Sequence, residues 1–221
     1  MIPRVRLTST TPIVEPVTLA DVKAHLVIGD STDDTLLTSF ITVAREACED
    51  ITGRAIPLQS QIVTLDRWPH NGAEEWWDGV RDGVMSFYGR GAYIEIPRPP
   101  LVSVESITVY DDTDTPAVWA SSNYYVDASD TNHPGRVCVR AQSVPPIGLR
   151  TRAAVEIACT VGYATVPASL CRAIMMMVAD LYSNRGDGWS ASIKMGTGAT
   201  ADTANRSGAM SLLERYILRN I

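Results

Sequence analysis

Lysine is nearly absent: Lys23 and Lys194 stand against 17 arginines. A GC-rich genome is the simplest source of that bias, and arginine-rich contact surfaces are the sharper one. Positive charge is short overall, with 19 basic against 25 acidic side chains and a formal net charge of −6. That balance excludes a protein that coats nucleic acid by neutralising phosphates. The four cysteines (Cys48, Cys138, Cys159, Cys171) show no CxxC spacing, which removes a disulfide framework and leaves reduced core thiols as the expectation. His25, His70 and His133 are isolated from cysteine and from one another, so no zinc-ligand spacing is visible. The longest strictly apolar run, Ala173 to Ala179, is seven residues, whereas a bilayer span needs about 20. Met1 to Arg6 holds no signal-peptide core. A soluble protein made in the cytosol is expected, with no membrane contact.

Catalytic signatures are missing too. The chain has no GxxxxGK[ST], GxSxG or HExxH, and Gly196-Thr-Gly198 lacks both a following lysine and a flanking strand. Glu74-Glu75, Glu95 and Glu105 could each serve a carboxylate mechanism, yet nothing raises one above the others. Asp111, Asp112 and Asp114 lack the glycine and terminal glutamate of a calcium loop and read as a β-turn. No catalytic, metal-binding or cofactor-binding residue is assigned, and no enzyme is expected.

What is present is ordinary globular material: 221 residues, 45% hydrophobic and 20% charged, enough to bury a core without staples. Thr18 and Asp21 form a short capping box at the start of a helix that Gly29-Asp30 should stop. A second helix opens at Thr32. Leu36, Leu37, Phe40, Ile41, Ala44, Ala47, Cys48 and Ile51 recur at spacings of three and four, and Gly53 supplies the left-handed stop. Arg45, Glu46, Glu49 and Asp50 fall off this stripe and read as a solvated face. From Arg54 to Thr165 the period changes to strands. Gln59–Trp68, Ala92–Ile96, Leu101–Tyr110, Val118-Trp119, Tyr124–Val126, Arg136–Arg140 and Ala153–Val161 alternate or run apolar, with turn residues about every ten positions.

The loop from Trp68 to Gly91 carries Trp76 and Trp77; these either anchor a partner or fold back over a sheet edge. Pro167 opens a third helix with Leu170, Ile174, Met177, Val178 and Leu181 on one stripe. Gly188 to Gly208 is rich in Gly, Ala, Ser and Thr, a loop of functional length. A last helix is expected from Ser207 to Ile221. Met210, Leu213, Tyr216 and Ile217 lie on one side, and Arg215 and Arg219 sit at i, i+4. It is apolar over more of its girth than one surface helix needs, so part of it should be buried in another chain. The fold class is α+β: helical segments at 1–54 and 166–221, an inserted antiparallel sandwich or barrel-like region at 55–165, and a flexible loop at 186–208.

Pro16–Leu26, Asp33–Leu37 and Ala44–Arg54 resemble the opening of tailed-phage head–tail connector (adaptor) proteins. Ile96–Tyr110 resembles the β insert of the longer branch of that family. Gly162-Tyr163, Val166-Pro167, Ala173-Ile174 and Leu181–Arg185 resemble its third helix, and Leu212–Tyr216 its C-terminal helix. The resemblance implies a homo-oligomeric ring of twelve copies under the portal protein, in the neck of a phage or phage-like virion assembled in the bacterial cytoplasm. A stopper or tail component would bind below, and DNA would pass the channel without specific binding. Met210, Leu213, Arg215, Tyr216, Ile217 and Arg219 are then the portal-binding candidates. Trp76, Trp77, Ile193, Lys194 and Met195 are candidates for inter-subunit or tail-side contact. The alternatives are another neck component, a stopper or tail terminator, or a carbohydrate-binding module on the β region.

Overall fold

The Thr18 hydroxyl oxygen accepts from the Asp21 backbone N–H at 3.2 Å, and Asp21 Oδ2 accepts from the Thr18 N–H at 3.2 Å. Both bonds of the capping box therefore form, and they start α1, Leu19–Leu26. The helix stops before Gly29: Val27 takes the left-handed conformation at φ 58°. The computed structural model describes residues 5–9, 13–66, 93–128, 133–140, 143–144, 146–185 and 208–218. Among these, contacts divide the chain into two units, Ile13–Leu58 with Tyr163–Ile221, and Met1–Pro12 with Gln59–Gly162.

The first unit is helical. α2, Asp34–Thr52, buries Leu37, Ile41, Ala44, Ala47 and Cys48, and ends at Gly53, whose φ of 70° is the left-handed stop. α3, Ala168–Ser183, contributes Leu170, Ala173, Ile174, Met177 and Val178 to the same core. The final helix is much shorter than its sequence suggests. α4 is one turn, Met210–Leu213, followed by a 3₁₀ turn at Glu214–Tyr216. Ile217 is already extended, at φ −61° and ψ 126°. The Leu218 N–H bonds to the Thr52 carbonyl at 3.1 Å, a tertiary partner that outcompetes continuation of the helix.

The off-stripe charges on α2 are also not all solvated. Arg45 and Glu49 are each only 3% exposed. They pair with each other, because the helix is packed on more of its circumference than its apolar stripe covers.

The second unit holds two antiparallel sheets. β1 (Val5–Ser9), β2 (Gln59–Leu65), β8 (Val155–Val161), β4 (Leu101–Tyr110) and β5 (Pro116–Val118) form the first, in that order. Its buried face is laid out in cross-strand rows, Leu65–Val155–Val109 and Val63–Ile157–Ile107. Strict alternation on β2 and β8 leaves every second side chain inside. The second sheet runs β3 (Tyr93–Ile96), β7 (Gly135–Val139), β6 (Tyr124–Asp127). It buries Ile94, Ile96, Val137 and Tyr124. β1 corrects the assignment of residues 1–54 to the helices: Val5 to Ser9 pair with β2, a five-residue strand too short to announce itself by pattern.

Candidate interaction site

The proposed contact residues of the C-terminal segment sit together in the helical unit, against the ends of α2 and α3. Leu213 is fully buried in the core, with Met210, Leu212 and Tyr216 packed partly buried against it. Much of the apolar girth read as surplus is thus consumed by the chain itself. The Tyr216 hydroxyl bonds Ser169 Oγ at 2.7 Å, and its backbone carbonyl accepts from the Arg54 guanidinium. Arg215 stands over the Tyr216 ring, 5.0 Å from its centroid. The Leu218 side chain lies so close that a Cβ on Gly53 would sit 3.4 Å from it. Ile217 is half-buried between these clamps. Arg219, Trp76, Trp77, Ile193, Lys194 and Met195 lie outside the described residues.

α2 also carries a charged network. Arg45 Nε donates to Glu15 Oε2 at 3.0 Å, and its terminal nitrogens to Glu49 Oε2 at 2.8 Å and Glu46 Oε1 at 3.2 Å. Glu49 Oε1 accepts the Ile56 N–H at 2.9 Å. One guanidinium fork thus joins the segment before α1 to α2, and Glu49 carries the link on to the chain leaving α2. At the opposite end, the Tyr182 hydroxyl donates to Asp33 Oδ2 at 2.6 Å, and the Arg185 guanidinium stacks 3.9 Å over the Tyr182 ring. That bond to Asp33 is the main reason the Tyr182 phenol is held above its ordinary pKa. Lys23 bridges to Asp34 at 2.7 Å.

Arg45, Glu49, Arg54 and Ser169 were not singled out from sequence as interaction residues. The i, i+4 spacing of Arg45 and Glu49 was the one legible signal. Arg54 sits just past the helix-stopping glycine, and only the fold shows that it reaches Tyr216.

Burial pushes the Cys48 thiol up to about 12 and Cys159 up to about 11, and it raises Cys138 and Cys171 as well. A nucleophilic thiol needs the opposite shift. No group of three metal-ligating side chains occurs among the described residues, and none of their helices is long and apolar enough to cross a membrane.

Two helical segments split by a two-sheet insert define an α+β fold. Residues 16–87 match the family model of phage gp6-like head-tail connector proteins, so the family resemblance holds for the segment spanning α1, α2 and β2. That family is one of structural connectors. No curated protein matches the chain in sequence. Among solved structures, a chain from the neck of an empty GTA particle computed with C6 symmetry is similar at TM-score 0.70 and 21% identity, covering 98% of this chain and 97% of that chain. A chain from the neck of a native GTA particle computed with C12 symmetry gives 0.66 and 22%, with the same coverage. A chain from the virion of a native gene transfer agent gives 0.65 and 21%, covering 97% and 96%.

Proposed function

We propose that this chain is a head–tail connector in the neck of a phage-like particle. The observation that carries the reading is the connector-family match over α1 and α2, the first two helices of the helical unit. Similarity along nearly the whole chain to subunits of symmetric necks supports it. In the finer form of the proposal, twelve copies close into a ring beneath the portal protein and continue the DNA channel towards a stopper or tail component. A ring requires two different patches on each copy. The C-terminal segment is the portal-facing patch: Met210, Arg215, Tyr216, Ile217 and Arg219 make the contact, and Leu213 holds the segment to its own core. Trp76 and Trp77 of the insert face the next component.

The test is capture by the portal protein of the same genome, with masses measured by native mass spectrometry. Truncation after Leu218 keeps Leu213 and Tyr216 in place and should reduce portal binding at least tenfold without lowering the melting temperature. Removal of residues 206–221 should abolish binding, and it should also cost about 2–5 kcal/mol of stability through loss of the buried Leu213 side chain. Undiminished binding by the 206–221 deletion would overturn the assignment of this segment.

A further inference from the structure

The first sheet takes one of its strands from far away in sequence. β1 lies on the outer edge of β2, yet residues 10–58 come between them. Most of that stretch, Ile13–Leu58, belongs to the helical unit. No hairpin turn therefore ties β1 to the sheet that it completes. Its place rests on antiparallel pairing through five partners, from Val5↔Leu65 to Ser9↔Gln61. The register carries two rows of the sheet one strand further. Val5 stands opposite Leu65 and Leu7 opposite Val63, in line with Val155 and Ile157 of β8. Without β1, the β2 edge of those rows would be an open template for any extended chain.

The link from β1 to the helical unit is short. Three residues, 10–12, separate Ser9 from Ile13, a reach of about 14 Å at full extension. A terminal strand on a short connector is an arrangement that exchanges between copies at low cost, because the pairing made in a neighbour is the pairing made at home. We infer that β1 of each copy pairs with β2 of the neighbouring copy, in the register Val5↔Leu65 to Ser9↔Gln61. Each five-stranded sheet then holds four strands of its own and one donated strand. The inference rests on the ring reading. It supplies that ring with two different patches on every subunit, a donor strand and an acceptor edge.

Thr8 and Ile62 are cross-strand partners, and the spacing of such partners is within disulfide reach. Full-length Thr8→Cys and Ile62→Cys proteins, co-expressed and oxidised after assembly, should give a linked band at twice the monomer mass on a non-reducing gel. Neither variant alone should give it. One chain carrying both substitutions should give a ladder of multimers. A bond that keeps the double variant at monomer mass would place β1 on its own sheet, and absence of the mixed band would remove the exchange; either result overturns the inference. Inserting six Gly and Ser residues after Thr11 should let β1 return to its own β2 and weaken assembly at least tenfold, with an unchanged melting temperature. Undiminished assembly of that variant would also count against the exchange. Wild-type mass separates the two readings. Closed rings without the mixed band sink only the strand exchange, whereas a wild type that stays monomeric with and without portal sinks both.

Discussion

Arg45 is the residue whose loss should be felt most. It is enclosed by the carboxylates of Glu15, Glu46 and Glu49, and removing it leaves Glu49 charged and buried. Arg45→Met should therefore cost about 3–5 kcal/mol in urea unfolding. Arg45→Met with Glu49→Gln should recover most of that, because the side-chain amide is neutral and its carbonyl can still accept the Ile56 N–H. A double variant as unstable as the single one would assign the cost to packing instead. The helix cap offers a pH test of the opposite, exposed kind. The Thr18 hydroxyl, and then the Thr18 N–H, hold the Asp21 carboxyl below its ordinary 3.8. A carboxyl depressed in the folded state stabilises above its unfolded pKa, and the contribution disappears as pH falls through the folded value. Wild type should melt above Asp21→Asn at pH 6, and the two should converge as pH falls through the depressed folded value.

At the scale of elements, helix ends decide which readings succeed. α2 was legible because stripe and stop agree: the apolar spacing runs unbroken to Gly53, which adopts the left-handed angle that glycine accepts at low cost. The strands β2, β3, β4, β6, β7 and β8 were legible from alternation and turn residues. The ends of α1 and α4 were not. Val27 stops α1 at a conformation that costs a β-branched residue about 1–2 kcal/mol, and no local pattern nominates it over Gly29. Val27 is 91% exposed, so its replacement loses little packing. Val27→Gly should raise stability by about 1 kcal/mol, read as a higher melting temperature, and a lower one would show that the valine makes a contact worth more than its strain.

The C-terminal turn failed for a tertiary reason. Arg54 and the Thr52 carbonyl lie some 160 residues upstream in sequence and take hold of Tyr216 and Leu218, and spacing within residues 207–221 contains no trace of them. The same applies to the candidate site. Its residues Met210, Tyr216 and Ile217 were readable as an apolar side, whereas burial of Leu213 and the Arg45 network required the fold.

At the scale of the whole molecule, the lysine shortage and the acidity acquire a joint meaning. Seven of the 17 arginines make structural contacts among the described residues. Arg136, Arg140, Arg150, Arg185 and Arg215 stand over tyrosine rings at 4.9, 5.8, 3.9, 3.9 and 5.0 Å. Arg45 and Arg54 are buried. The buried, hydrogen-bonded Arg45 and Arg54 are poor candidates for phosphate contacts, since each contact would have to displace an existing partner. With a net charge of −6, the chain as a whole repels a polyanion. In the proposed ring, a channel that DNA slides through would gain from that arrangement, because every phosphate gripped would slow passage. The protein should therefore show no retention of duplex DNA at physiological salt, with any dissociation constant weaker than about 10⁻⁴ M by fluorescence anisotropy. Lowering the salt should change little, because few counterions are released when few phosphates are neutralised. Micromolar binding that falls steeply as salt rises would mean that a basic surface grips DNA, and the passive-channel reading would have to give way to an active clamp.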